Sequence, residues 1–388
     1  MKSPKLCGFL FFSLLLIAFF ALSSNVFSAD DVYKIGAIFS TTGTGSSLGV
    51  PEENTVKMLE SEINSTGGIK GKKLQVIIYD DASDETNARN KASKLINEDK
   101  VCAIIGPTLS GTSLAIIDTA QNAKIPLISC AASVKIVEPV NERYWVFKTP
   151  QSDVLVGKRI AEYLKAKKLT KVAIITAKTP FGASGKEQLE KILPEAGITI
   201  VAKEEFNEKD PDVLVQLTKI KSANPQAVIC WSISPGGAIV TRNMKNDLKM
   251  DIPLIMSHGV ANKEYINLSG DAANGVVFPS GKLLVANDLP KNDPQKLTLT
   301  KYVNNYKTKY GSEPSTFGGH AWDALMLVVN AMKKVGNDPA KIRAEIEKTK
   351  KFIGTGGVFN FSPTDHNGLD SSCLVMVKIE NGKWVLAK

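Results

Sequence analysis

Twice along this sequence, short apolar runs alternate with helix-period segments, and that rhythm leaves few folds open. The first series opens with an apolar strand at residues 33–39. A glycine-rich turn follows, then a helix with Val56, Leu59 and Ile63 on one face, stopped by Gly67 and Gly68. Further strands are predicted at 74–79, 101–105 and 125–129. Helices are expected around Ala88, Ala92, Leu95 and Ile96, and over 113–123. After Thr149 and Pro150 the series restarts. Helices at 154–164, 186–193, 213–220 and 237–244 alternate with strands at 172–177, 199–201, 227–230 and 254–256. Strands that are apolar throughout are covered on both faces, as in a parallel sheet flanked by helices. The expected fold class is therefore α/β, with two doubly wound units in succession. The last third adds helices at 296–310 and 321–334, then a hairpin of 375–379 and 384–386 around Asn381 and Gly382. That mixed tail implies that the chain crosses between the units more than once.

The first residues read differently. Lys2 and Lys5 precede an apolar run at 6–22, and Val26, Phe27, Ser28 and Ala29 end in small side chains. This is the pattern of a cleaved secretory signal peptide, placed at residues 1–29. No later segment is long and apolar enough to span a membrane. The net charge of +9 comes from scattered lysines, with no basic block interleaved with aromatics, so no nucleic-acid partner is expected. Cys7 lies in the leader. Cys102, Cys130, Cys230 and Cys373 sit in apolar, strand-like contexts, spaced too widely for a metal site. Buried thiols are the favoured reading, although export permits disulfides. Their pairing is not legible.

Few motifs suggest bond chemistry. Gly43, Gly45 and Gly49 mimic a dinucleotide-binding turn, but the spacing is wrong and Asp80 and Asp81 come too late. Asp80 and Asp81 are adjacent on a strand and point to opposite faces, so a structural role is expected. There is no GxSxG elbow, no HExxH, and the histidines are His258, His320 and His366. No enzyme, cofactor or metal site is expected; an exported hydrolase on the same scaffold is the rival of another class. Two loops after strands of the first unit are better candidates for ligand binding: 107–113, with Ser110 and Gly111, and 130–133, with Ala132 and Ser133. Loops at strand ends line the crevice of open α/β sheets, and hydroxyls with backbone N–H groups at a helix start suit a carboxylate. Helix capping is the competing role for those serines.

The segments GPTLSGTSLA, IPLISCAAS, TPFGASG, SHGVANKEYINLSGDAANGVVF, HAWDALMLVVNAM and GTGGVFNFSPTDHNG resemble the periplasmic leucine/isoleucine/valine-binding protein family. These are type I solute-binding proteins of ABC transporters. The resemblance covers essentially the whole chain after the leader. It implies two lobes joined by three crossovers, expected near Thr149, Phe278 and Gly356. Lobe one would comprise 30–149 and 279–356; lobe two would comprise 150–278 and 357–388. It also implies a periplasmic, monomeric protein that closes by a hinge on a small ligand and presents it to a membrane permease. Ser110 matches the family's carboxylate-binding serine, and Ala131 and Ser133 match the next binding loop. Leu48 and Phe181 fall where aromatic side chains contact ligand. The departure lies in lobe two. His258 stands where amino-acid binders carry an acid for the ligand ammonium, and Trp231 and Ser232 replace a tyrosine-bearing segment. Phe317 and His320, ahead of a predicted helix, are expected at the cleft mouth. A buried ammonium without an acceptor is costly, whereas an imidazole can donate to oxygen. The expected ligand is a carboxylate without an α-ammonium, such as an aromatic or 2-oxo acid. A branched-chain or other amino acid is the alternative.

Overall fold

The computed structural model describes residues 32–387; the expected signal peptide and Cys7 lie outside the described residues. The first sheet contains β1 (Val32–Phe39), β2 (Lys73–Asp80), β3 (Ile104–Ile105), β4 (Leu127–Ser129) and β5 (Val146–Lys148). All pair in parallel, in the order β2-β1-β3-β4-β5. Helices α1 (Ser46–Ser65), α2 (Glu85–Asn97) and α3 (Ser110–Ala123) join the first four strands. The chain then enters the second lobe through α4 (Asp153–Ala166).

That lobe repeats the plan with β6 (Lys171–Ala177), β7 (Thr199–Phe206), β8 (Ala227–Trp231), β9 (Leu254–Met256) and β10 (Val277–Gly281), in the parallel order β7-β6-β8-β9-β10. Its helices are α5 (Pro180–Glu195), α6 (Leu214–Ser222), α7 (Ser234–Arg242) and α8 (Lys263–Ser269). Both sheets therefore reverse strand order between the first and third strands. At such a switch point the following loops diverge and leave a crevice.

The chain continues through α9 (Lys296–Tyr310), α10 (Thr316–Val335), α11 (Pro339–Glu347), β11 (Phe352–Ile353) and β12 (Val358–Phe359). It ends in β13 (Leu374–Glu380) and β14 (Lys383–Leu386), which extend the second sheet in antiparallel fashion. Asn381 and Gly382 both have positive φ (49° and 70°), as the two-residue turn expected there demands. Phe278 lies inside β10, its ring 5.5 Å from Trp384, so the chain leaves the second sheet after Gly281. Gly356 is followed by Phe359 and Phe361, which still pack in the first-lobe core with Leu325, Val328 and Met332 of α10.

Several helices start earlier than their sequence pattern indicated, α5 at Pro180 and α7 at Ser234 among them. Helix α3 begins at Ser110, and α10 begins at Thr316, so Phe317 and His320 lie within its first turns. In both cases glycines mimic a break. In fact they allow close packing: a Cβ on Gly318 would lie 2.6 Å from the Tyr302 hydroxyl, and one on Gly319 2.7 Å from Thr355 Oγ1. The short strand β5 and helix α11 had no clear sequence signal.

Other motifs resolve into structural roles. Gly49 lies inside α1 against the Ser40 backbone, where a Cβ would collide. Asp80 accepts hydrogen bonds from Thr41 N (3.0 Å), Ala82 N (2.8 Å) and Thr42 Oγ1 (2.6 Å). Asp81 accepts from Ser40 Oγ (2.7 Å) and Ser83 N (2.9 Å). Cys102, Cys130, Cys230 and Cys373 are buried and unpaired.

Candidate functional site

A cavity of roughly 230 Å³ lies between the lobes, at both switch points. Its walls come mainly from the loops and helix starts that follow β1, β3 and β4 on one side and β6, β8 and β9 on the other, with the start of α10 and Glu208 completing them. Such a space suits a small metabolite. The lobes are shut around it. Leu48, Ala132 and Phe317 of the first lobe share one apolar cluster with Phe181, Trp231 and Ile233 of the second.

Of the residues singled out in the sequence, Leu48, Ser110, Gly111, Ala131, Ala132, Phe181, His258, Phe317 and His320 line the cavity. Ser110 opens α3. The cap position, Leu109, has no side chain that can satisfy the first-turn N–H groups, so these remain available to an anion. Ser110 Oγ accepts a hydrogen bond from Ser133 N (3.3 Å), which leaves its own proton free to donate. Gly111 faces the opposite lobe. A Cβ there would lie 3.2 Å from Pro180 Cγ and 2.6 Å from Glu85 Oε1.

The second-lobe wall is aromatic. Phe181 sits 5.6 Å from the His258 ring, edge to face. Trp231, at the end of β8, is fully buried behind both, 5.8 Å from Phe181 and 6.0 Å from His258. It supports the wall without forming it. Gly185 of α5 presses so closely on the Trp231 indole that any side chain there would collide. Ser232 also falls outside the lining: its hydroxyl donates to Glu208 Oε1 (2.8 Å). Glu208 does line the cavity, and nothing in its stretch, rich in charged residues and asparagine, sets it apart in the sequence. It caps α7, accepting from Gly236 N (3.1 Å) as well as Ser232. Burial raises its pKa, against the pull of these hydrogen bonds.

His258 and His320 are only 6% and 3% exposed. Both are held neutral, with pKa values lowered to about 3. Burial is the main cause for each. The Lys148 charge adds to it at His258; His258 and then Lys148 add to it at His320. Neither nitrogen of His258, nor Nδ1 of His320, has a hydrogen bond of good geometry.

Ser133 does not reach the cavity. It belongs to a buried clasp between the lobes. Its hydroxyl donates to Ser184 Oγ of α5 (2.8 Å), and Ser184 donates to Asp153 of α4. Asp153 also accepts from Val134 N of the first lobe (3.1 Å). Ser133 additionally caps a short 3-10 turn, accepting from Lys135 N. If the clasp forms on closure, Ser184→Ala weakens ligand binding roughly 5- to 10-fold, the worth of the one buried hydrogen bond across the cleft, while the ligand-free melting temperature falls only through the lost bond to Asp153 within the second lobe. Paired titrations and thermal melts check this. A lowered melting point with unaltered affinity would mark a permanent contact instead.

Two buried charges organise the crossovers. Lys148 Nζ donates to Pro150 O (2.7 Å), and burial lowers its pKa to about 7 against the opposing charge of Asp153. Asp323 of α10 accepts from Thr355 N (2.6 Å), Thr355 Oγ1 (3.1 Å) and Gly356 N (2.7 Å). Burial lifts its pKa to about 7 despite these donors. Gln151 then donates to Gly356 O (2.6 Å), tying the first crossover to the same loop.

Known proteins share this architecture. The leucine-, isoleucine-, valine-, threonine- and alanine-binding protein of Pseudomonas aeruginosa is 26% identical over 355 residues, 90% of each chain. An extracellular ligand-binding receptor from Rhodopseudomonas palustris HaA2 superposes with a TM-score of 0.86 at 31% identity, covering 92% of this chain and 99% of its own. A solute-binding protein of an ABC transporter from Rhodopseudomonas palustris BisB5, in complex with 3,4-dihydroxybenzoic acid, shares the fold at a TM-score of 0.78 and 23% identity, covering 91% and 95% of the two chains. The family model described as periplasmic binding protein matches residues 32–383. Two lobes of matching strand order, shut around a cavity at their switch points, agree with that match, and the chain belongs to the periplasmic binding protein family.

Proposed function

We propose that the protein is the exported, periplasmic solute-binding component of an ABC importer. It captures a small carboxylate that lacks an α-ammonium, such as an aromatic or 2-oxo acid, and delivers it to a membrane permease. The observation that carries the carboxylate is the uncapped start of α3, where Ser110 has a free proton and the first-turn N–H groups meet the cavity. The ligand docks there first. The second lobe then closes over it, bringing Phe181 and His258 to its other side, by the hinge motion common in two-lobed binders. Closure is favoured to the extent that the ligand gains contacts in the closed state. No bond is made or broken.

Charge disfavours an ammonium. Lys148 sets a positive potential at both histidines, and His258 brings no negative charge to the wall. A second reading, an amino-acid ligand, is favoured by Glu208, a lining carboxylate of raised pKa that an ammonium would welcome. The Pseudomonas relative is named for such ligands.

A thermal-shift screen of refolded, ligand-stripped protein separates the two. The panel holds leucine, phenylalanine, their 2-oxo acids and aromatic carboxylates. A ligand at 100 times its Kd stabilises the native state by about 2.7 kcal/mol. The expected result is a shift with ammonium-free acids alone, reduced about 10- to 150-fold in affinity by Ser110→Ala, the range for a hydrogen bond to a charged group. A shift with amino acids alone would overturn the ammonium-free reading and leave the solute-binding role standing.

A further inference from the structure

The cavity holds more polar chemistry than a carboxylate can use at one end. His258 reaches it from the loop after β9 in the second lobe, and His320 from the first turns of α10 in the first. Both rings line the same cavity, and His258 lies near enough to His320 to bear on its charge state. Three of their four ring nitrogens have no hydrogen bond of good geometry, although the Gln151 backbone lies near enough to His258 to favour its protonated form. Buried polar atoms are ordinarily satisfied, and those that are not call for a partner. Apart from that backbone, the imidazoles meet aromatic rings: Phe181 and Trp231 lie 5.6 and 6.0 Å from His258, and Phe317 lies 6.2 Å from His320.

We infer that His258 and His320 form a second ligand subsite that recognises a hydroxyl group, so that the solute is a hydroxy-carboxylate with an apolar body. This rests on the carboxylate reading above and narrows it. A neutral imidazole has one N–H donor and one bare nitrogen acceptor. Two neutral rings therefore present both roles, and a hydroxyl, which donates and accepts, matches them. An ammonium has no lone pair to accept with, and its charge would face Lys148. A second carboxylate offers no proton and would draw protons onto both rings. The apolar body would fill the space between, against Leu48, Phe181 and Phe317. Because the rings come from opposite lobes, one hydroxyl held by both ties the lobes together. The hydroxyl thus determines specificity and helps closure.

The test compares matched ligands by calorimetric titration of the wild-type protein and of His258→Phe and His320→Phe. Phenylacetate is set against mandelate and para-hydroxyphenylacetate, with phenylalanine and leucine alongside. The wild type should bind at least one hydroxylated acid about 10-fold or more tighter than phenylacetate, as expected for a gained pair of buried hydrogen bonds. Each variant should bring that ratio close to one, whatever its absolute affinity for phenylacetate. Equal affinity for hydroxylated and plain acids in the wild type would overturn the subsite and leave the carboxylate reading intact. Binding of the amino acids alone would overturn both. The wild-type ratio decides even if a variant misfolds. Nitrogen-15 shifts of the histidine rings give an independent readout: a hydroxy acid should move both His258 and His320, and a change at neither would count against the subsite.

Discussion

Replacing Gly111 with valine is expected to weaken ligand binding roughly 5- to 150-fold, with little change in the melting temperature of the ligand-free protein. The effect is steric and falls on the closed state. In the closed protein a Cβ at Gly111 would already touch Pro180 Cγ at 3.2 Å, across the cleft. The Glu85 carboxylate, at 2.6 Å, is the end of an exposed side chain and can swing aside. Pro180 cannot, because it begins α5. The branches of valine extend further, so the lobes must stop short of full closure or strain. Overpacking of this kind costs about 1–3 kcal/mol, and here the cost falls on the closed state alone. Titration with any bound ligand, paired with small-angle scattering of the saturated protein, measures it. Wild-type affinity together with a fully closed scattering profile would show that Gly111 does not govern closure.

The second large effect concerns stability. Asp323→Ala removes the acceptor for Thr355 N, Gly356 N and the Thr355 hydroxyl, all buried. Each backbone N–H left unsatisfied costs about 1–3 kcal/mol, so the two together cost about 2–6 kcal/mol. For a chain of this size that lowers the melting temperature by on the order of 10 °C. Asp323→Asn, which keeps one acceptor oxygen, should lose less. Denaturant titration of the three proteins tests the ranking, and a loss below about 1 kcal/mol for the alanine variant would refute the role assigned to Asp323. Ligand affinity should fall as well, since Gln151 of the first crossover is bonded to the same loop.

What could be read in the sequence was periodic or local. Apolar strands such as Ile35–Phe39 declare burial by composition alone, and Asn381-Gly382 declares a hairpin by its φ preferences. Glycine was the ambiguous letter. Gly111, Gly318 and Gly319 look like breaks, yet they lie within helices because neighbours press on them. Site residues on loops after strands were legible for the same topological reason: Ser110, Ala131, Phe181 and His258 all line the cavity. Roles set by long-range contacts were not. Ser133 looked like a ligand contact, but its hydroxyl is taken by Ser184, 51 positions away. Lys148 is buried against Asn367, 219 positions away, and no local pattern distinguishes it from a surface lysine.

The route of the chain between the lobes governs the order in which it can fold. The face of the first sheet that carries Ile35, Ala37 and Phe39 is covered by α10 and by Phe359 and Phe361, all from the last quarter of the sequence. The second sheet still lacks β13 and β14 at that point. As the chain emerges from the ribosome, neither core can close until nearly the whole sequence has been made. Late core completion of this kind would keep the nascent chain unfolded long enough to be threaded through a translocation channel, as the proposed export requires.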